Sequence, residues 1–528
     1  MSVQFFQEKK QIEEMDSNII SWFASSTVLF SITLFLVLKR RQSSKQPPPG
    51  PPAWPLIGNI FDLGRNPHQS LYKLRFKYGD LLWLRLGWTN TLVIQTAKAA
   101  ELLFKNHDAS FCDRKVPESL TAYNYYQGSI SIGRYTPYWR ILRRLVTLGL
   151  MTNKHIQEKV SLRRKCINDM IQFIQDDSEA AQWRGESGEV ELPKYVLLMT
   201  FNLMGNLVLS RDLVNSQSEE GNDFFHAMDK VMELSGKPNL SDFFPFFRRL
   251  DPQRIKKNTE KQLGRTLSII EKFVMERIED RKLMKERNNK DLLDTFLEYN
   301  ESGDGGREGH ETISTHNILI LIVEMFFGGT ETTSATIEWV MTELFRNPES
   351  MRRVKEELNR VVGLKRNVKE SDIDHLPYLQ AVIKESMRLH PIVPLLVPRN
   401  ALEHTNFMGY GIPKDTQVFV NTWAIGRDPE AWEDPLSFKP ERFLGSNIQY
   451  RGQNFELLPF GSGRRICVGY PLAHQIIHLT IASLLHCFDW EIESKSVAEA
   501  MDINERLGMT VRKLIPLKAI PKKKIMAE

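Results

Sequence analysis

Ten residues near the C-terminal end carry the strongest chemical signal in this chain: Phe460-Gly461-Ser462-Gly463-Arg464-Arg465-Ile466-Cys467-Val468-Gly469. The spacing is F-x-x-G-x-R-x-C-x-G. One cysteine sits in a loop that glycines keep thin, beside two arginines and just ahead of an apolar helix that starts near Pro471. Nearby cations and the positive end of a helix both favour a thiolate. Glycines let the backbone approach something flat and large without a side-chain clash. A buried structural thiol is the ordinary alternative for a lone cysteine. Five fixed positions in ten residues weigh against it.

Several elements must position this loop. From about Thr315 to Phe345 the pattern predicts one long helix. Its centre, Ile318 to Phe327, is apolar nearly all round with Glu324 as the exception, so it belongs in a core. Gly328 and Gly329 fall in its middle, where each glycine costs about 1 kcal/mol relative to alanine. Room for a bulky ligand, or a distortion, explains that cost; tight helix packing explains it equally. Glu324 reads as a satisfied structural carboxylate or a polar pocket contact. Helical periodicity also marks Trp139 to Leu148, Val160 to Ile174, Leu263 to Met284, Met351 to Val362 and Leu379 to Leu389. Strands are expected at Leu82–Leu86 and Leu92–Ile94, with a turn near Thr89-Asn90, and at Gln417–Val420. The fold class is mainly α with a small β region. Gly303 to Gly306 reads as a polar surface loop. His474 and His478 have zinc-helix spacing, but Gln475 replaces the needed glutamate, so no zinc site is expected.

The 528 residues show no repeat. Four cysteines without a C-x-x-C pair suit a reducing compartment rather than a disulfide framework. A formal charge of +5, with acids and bases intermixed, does not imply nucleic acid. Residues 19–38 are uncharged and apolar over a length that spans a bilayer, and Lys39-Arg40-Arg41 follow. This predicts a single-pass anchor over 19–38, a short lumenal segment over 1–18, and a catalytic body facing the cytosol. Residues 39–59 form a basic and proline-rich hinge, and 60–528 the catalytic domain. Pro47 to Pro52 would be a stiff extended spacer.

The cysteine loop resembles the haem-ligand loop of the cytochrome P450 superfamily, and other segments match in the expected order. Gly328-Gly329-Thr330-Glu331-Thr332-Thr333 resembles the oxygen-activation motif. Glu385 with Arg388 resembles E-x-x-R, Pro440-Glu441-Arg442-Phe443 resembles P-E-R-F, and Trp139 with Arg143 resembles W-x-x-x-R. The resemblance is to plant microsomal members near the geraniol hydroxylases and iridoid oxidases. Ser241 to Pro245, Trp423 to Pro429 and Leu484 to Trp490 also carry it.

The resemblance implies the P450 fold behind one transmembrane helix in the endoplasmic reticulum membrane, with haem b held by Cys467 as axial ligand. Phe460, Gly463 and Gly469 would shape the ligand loop, while Trp139, Arg143, Arg399 and Arg465 would cradle the haem. Thr332 and Glu331 would manage dioxygen and its protons. Glu385, Arg388 and Arg442 would form a structural charge network. Met325, Gly328, Gly329, Val393, Leu395, Leu396, Leu507 and Met509 would line an apolar substrate pocket. Residues 120–132 and 239–244 would complete it. The implied partners are O2, a hydrophobic small molecule, the lipid bilayer, and NADPH–cytochrome P450 reductase. The implied reaction is hydroxylation of a terpenoid of monoterpenoid or iridoid type, with an alkaloid or phenolic as alternative. A reductase-independent haem-thiolate isomerase and a non-catalytic haem sensor are the alternatives of another class.

Overall fold

The computed structural model describes residues 26–27, 46–214, 219–283, 290–302, 312–492 and 501–524. The expected anchor, the basic residues after it and the Gly303–Gly306 loop lie outside these, apart from residues 26–27. Residues 49–405 and 412–528 fall in one large unit, and residues 46–48 and 406–411 in a small second one.

The large unit is mainly helical. Its chief helices are α1 (Pro67–Tyr78), α2 (Ala97–Asn106), α3 (Pro137–Val146), α4 (Val160–Trp183), α5 (Leu192–Leu209), α6 (Glu219–Ser235) and α7 (Ile255–Lys282). They continue with α8 (Leu292–Ser302), α9 (Thr315–Gly329), α10 (Glu331–Arg346), α11 (Pro348–Val361), α12 (Pro377–Leu389) and α13 (Tyr470–Cys487). Their starts follow local chemistry. Thr96, Thr136 and Ser314 each accept a backbone N–H of the first turn. Pro137, Pro348 and Pro377 open their helices, where a missing N–H costs nothing.

Beside the helices lies a four-stranded sheet made of β1 (Leu81–Leu86), β2 (Thr89–Ile94), β3 (Arg399–Asn400) and β4 (Gln417–Val420), in the order β1-β2-β4-β3. The β1–β2 turn falls at Gly87-Trp88, earlier than expected, because Thr89 and Asn90 already pair with Leu86 and Arg85. Pro49 accepts the N–H of Trp83 at 2.8 Å, so the middle of the proline run lies against β1. Arg399 pairs with Val418, on the edge of the sheet away from β2. A separate hairpin of β5 (Glu505–Leu507) and β6 (Val511–Lys513) closes near the C-terminus.

The largest hydrophobic core gathers α3, α4, α5, α9, α10, α12 and α13, and α9 is buried from Ile318 to Phe327. Helix α5 and the α9–α10 run are long and apolar enough to cross a membrane. With 61% and 83% of their apolar windows buried, they are core helices. The single long helix expected over 315–345 is instead broken at Thr330, where φ is −97° and ψ is −69°.

Candidate active site

The cysteine loop is pinned by one buried acid. Asp108, just beyond α2, accepts the backbone N–H of Arg464 at 3.0 Å and its guanidinium at 3.0 Å. It also accepts Arg399 at 2.7 Å. Gly463 has φ +70° and stands so close that a Cβ there would lie 2.3 Å from Asp108 Oδ1. Only glycine meets both conditions. Cys467 donates its N–H to Phe460 O at 2.9 Å, which closes the loop before α13.

Burial raises the Cys467 thiol above its ordinary value. The amides of Gly469 and Tyr470 and the Arg143 cation pull the other way. The expectation that Arg464 and Arg465 would supply the cations is not met. Arg464 turns to Asp108, and Arg465 donates to Cys112 O at 2.8 Å and Gly133 O at 2.7 Å. The cysteine nevertheless presents open surface. A residue both deep and open faces a space inside the protein.

Around that space three guanidiniums are buried together: Arg114, Arg399 and Arg465. Arg114 donates to Ser131 O and Pro398 O, both at 3.0 Å. Burial, then the Arg399 and Arg465 charges, hold Arg114 well below the usual arginine range. Burial chiefly brings Arg465 down to about 10. Asp113, the nearest acid to Arg114, pairs with Arg134, and Asp108 serves Arg399 and Arg464. Among the described residues neither Arg114 nor Arg465 has a carboxylate partner. Two buried cations without counter-charge fit a group bearing two carboxylates, as haem does. The donor set and the open cysteine thus agree with that cofactor. Trp139 stacks beneath Arg465 at 3.9 Å and donates its indole N–H to Ile130 O at 3.0 Å. Arg143 donates to Ile466 O.

The helix break divides the two explanations of its glycines. A Cβ on Gly328 would meet nothing within 4 Å, so Gly328 opens onto free space. A Cβ on Gly329 would lie 2.7 Å from Met204 Sδ, so Gly329 serves packing against α5. Thr332 donates its hydroxyl to Gly328 O at 2.6 Å. Glu331 is buried and turned toward the β5–β6 hairpin, where Arg512 Nε reaches its Oε1 at 2.7 Å and Thr510 donates its hydroxyl. Glu324 accepts Ile130 N–H at 2.6 Å, Ser131 N–H at 3.0 Å, and the hydroxyls of Ser129 and Ser131. It is a structural clamp on residues 129–131.

The remaining candidates sort as follows. Arg388 grips Glu385 with two bonds of 2.8 and 2.7 Å, and Arg442 reaches the same carboxylate at 3.1 Å. Met325 is buried in the main core, and Leu396 lies against Gly461 of the cysteine loop. Leu395, by contrast, packs on the sheet-side cluster of Leu71, Leu82 and Phe419. Val393 accepts the Leu396 N–H at 3.0 Å, and Leu507 and Met509 line a cleft with Glu331. His474 binds the Tyr450 hydroxyl and accepts His478 Nδ1 at its carbonyl, and no metal-ligating cluster occurs among the described residues. The parts played by Asp108, Arg114, Thr510 and Arg512 are not legible in the sequence, because nothing local distinguishes them from ordinary polar surface residues.

The comparisons with known proteins agree with this geometry. The cytochrome P450 family profile matches residues 48–517. The chain is 52% identical to an iridoid oxidase of Catharanthus roseus over 502 residues, covering 95% of this chain and 97% of that one. It is 38% identical to a geraniol 8-hydroxylase of the same plant over 498 residues, covering 94% and 98%. A zebrafish cytochrome P450 solved with progesterone superposes with TM-score 0.72 at 26% identity, covering 86% of this chain and 99% of that one. Family members carry haem with a cysteine thiolate and use a redox partner, O2 and a small-molecule substrate. With the family profile spanning most of its length and a relative 52% identical along 95% of it, this chain belongs to the cytochrome P450 family and is a monooxygenase.

Proposed function

We propose that this chain hydroxylates a plant terpenoid of monoterpenoid or iridoid type, using NADPH-derived electrons delivered by a membrane-bound reductase. The observation that carries this reading is the 52% identity to an iridoid oxidase along 95% of the chain. Cys467 Sγ would hold the haem iron, in a loop shaped by Phe460, Gly463 and Gly469. Arg114, Arg399 and Arg465 would hold the two carboxylates, with Trp139 and Arg143 beside them. When bound, haem supplies dioxygen activation and the insertion of one oxygen atom into substrate. The chain's part is to bind, orient and protonate. Met325, Val393, Leu396, Leu507 and Met509 would give the substrate an apolar wall, and Gly328 leaves it room. Thr332 Oγ1 would hold a proton above Gly328, and Glu331 would resupply it.

The body would face the cytosol from the endoplasmic reticulum membrane, held by residues 19–38. A second contact with lipid is supported by exposed Trp88, Phe246 and Leu250, with Trp88 and Phe246 in edge contact at 6.4 Å. Such a patch is costly to leave in water.

A phenolic substrate is the second reading, favoured by 40% identity to a 7-ethoxycoumarin O-deethylase of Helianthus tuberosus. Microsomes containing this chain and a reductase, supplied with NADPH and a panel of monoterpenoids, sesquiterpenoids, alkaloids and phenolics, decide between them by product mass. A terpenoid gaining one oxygen is the expected result. Turnover confined to phenolics or alkaloids overturns the substrate class. Cys467→Ala should lose the thiolate-type carbon monoxide band; a retained band overturns the ligand.

A further inference from the structure

The acid of the broken helix does not stand alone. Glu331 lies at one side of a cleft of about 390 Å³ between the end of α6, residues 236–238 and the β5–β6 hairpin. Asp229, Glu233, Lys237, Arg506 and Arg512 give the cleft a charged lining. Its wall is a backbone-to-backbone contact, since a Cβ on Gly236 would sit 2.4 Å from Met509 N and 2.6 Å from Gly508 C. The hairpin is thereby seated on the α6 end. From that seat Arg512 and Thr510 both reach Glu331 Oε1. Oε2 carries neither of these bonds. Arg512 is about one-quarter exposed while Glu331 is buried, so the ion pair bridges the wet cleft and the dry helix.

We propose that Arg512 is a positioning residue for proton delivery, and that this cleft is the route by which water reaches Glu331. The guanidinium fixes Oε1, so that Oε2 takes a proton from cleft water and passes one toward the Thr332 hydroxyl. The balanced reaction is RH + O2 + NADPH + H⁺ → ROH + H2O + NADP⁺. When protons arrive out of step, the same electrons leave by O2 + NADPH + H⁺ → H2O2 + NADP⁺. The geometry assigns the choice between these outcomes partly to a hairpin that carries two pocket candidates, Leu507 at the end of its first strand and Met509 at its tip. The proposal rests on Glu331 and Thr332 acting as a proton relay.

The test compares Arg512→Gln, Arg512→Lys and Glu331→Gln in the haem-loaded, membrane-bound protein with its reductase. In Arg512→Gln, product per NADPH should fall about tenfold, less than the roughly hundredfold or more that a general acid or base itself contributes. Hydrogen peroxide should make up the difference, and the solvent deuterium isotope effect on product formation should rise. The substrate dissociation constant and the carbon monoxide spectrum should stay at wild-type values. Arg512→Lys, which keeps the charge, should recover most of the coupling. Apart from turnover, amide hydrogen exchange over residues 505–513 should quicken in Arg512→Gln. If Arg512→Gln stays coupled while Glu331→Gln uncouples, the Arg512 proposal is overturned and the relay stands. If Glu331→Gln stays coupled, the relay itself falls and takes this proposal with it. Weakened substrate binding with unchanged coupling and isotope effect would make Arg512 a mere brace, which also overturns the proposal.

Discussion

Two buried acids on the two halves of one broken helix have opposite surroundings. Glu324 on α9 is wrapped by two backbone amides and two serine hydroxyls from residues 129–131. Glu331 on α10 meets one hydroxyl and one guanidinium, and lines a cleft. The first has its lone pairs taken by groups that cannot leave without unfolding the loop. The second is held at one oxygen by a side chain that reaches the wet side. A buried carboxylate bonded at both oxygens by one loop is a fastener, whereas Glu331 is bonded at Oε1 beside a cleft. Burial alone does not separate the two, since both are about equally hidden from solvent.

The largest effect expected from breaking this comparison is at the fastener. Glu324→Ala would strand four neutral donors and should cost about 3 kcal/mol or more, since each buried donor left without a partner costs about 1–3 kcal/mol. Residues 130–133 also supply the carbonyls that hold Trp139, Arg114 and Arg465, so haem retention should fall with stability. Thermal melting together with the haem-to-protein absorbance ratio measures both. A stable, haem-replete Glu324→Ala would mean that the serines close the gap themselves.

A third acid on the same helix sharpens the contrast. Glu338 is buried with one amide donor, Leu517 N–H at 2.9 Å, and burial lifts its carboxyl from 4.5 to about 7. Between those values the folded chain binds a proton that the unfolded chain has released. Its contribution is therefore fully present below pH 4.5 and is lost as pH rises through 7, by about 3 kcal/mol in all. Glu338→Gln should flatten that part of the stability curve, and denaturant melts at pH 5, 6, 7 and 8 read it directly. An unchanged slope would assign the pH dependence elsewhere.

The smallest effects lie at the glycines between the acids. Gly328→Ala should gain up to about 1 kcal/mol of helix propensity, because its methyl enters open space. The same methyl should alter substrate affinity in a spectral titration. Gly329→Ala should show little or no gain, since Met204 must move aside. Equal gains at both positions would erase the division of roles drawn between them.

The sequence reading succeeded where chemistry and contact were local. Glu385 and Arg388 meet because three residues apart on a helix is one face. The cysteine loop was legible because its glycines and the following helix are contiguous. It failed where partners are remote. Arg464 finds Asp108 across 356 positions, and Glu331 finds Arg512 across 181. The effect on the thiol expected of the neighbouring arginines comes instead from Arg143. The glycine pair announced a weak point, but only the position of Met204 decides which glycine packs and which opens. The β1–β2 turn was misplaced because Thr89 and Asn90 suit a turn by type and a strand by pairing.

One short stretch suggests how such an enzyme diverges. Residues 129–133 are used from both sides of the peptide backbone: N–H groups clasp Glu324, and C=O groups receive Arg114, Trp139 and Arg465. The side chains of Ile130 and Ile132 take no part in those bonds. Exchange of either for another apolar residue would therefore leave untouched the main-chain bonds that hold the arginines and the acid in register.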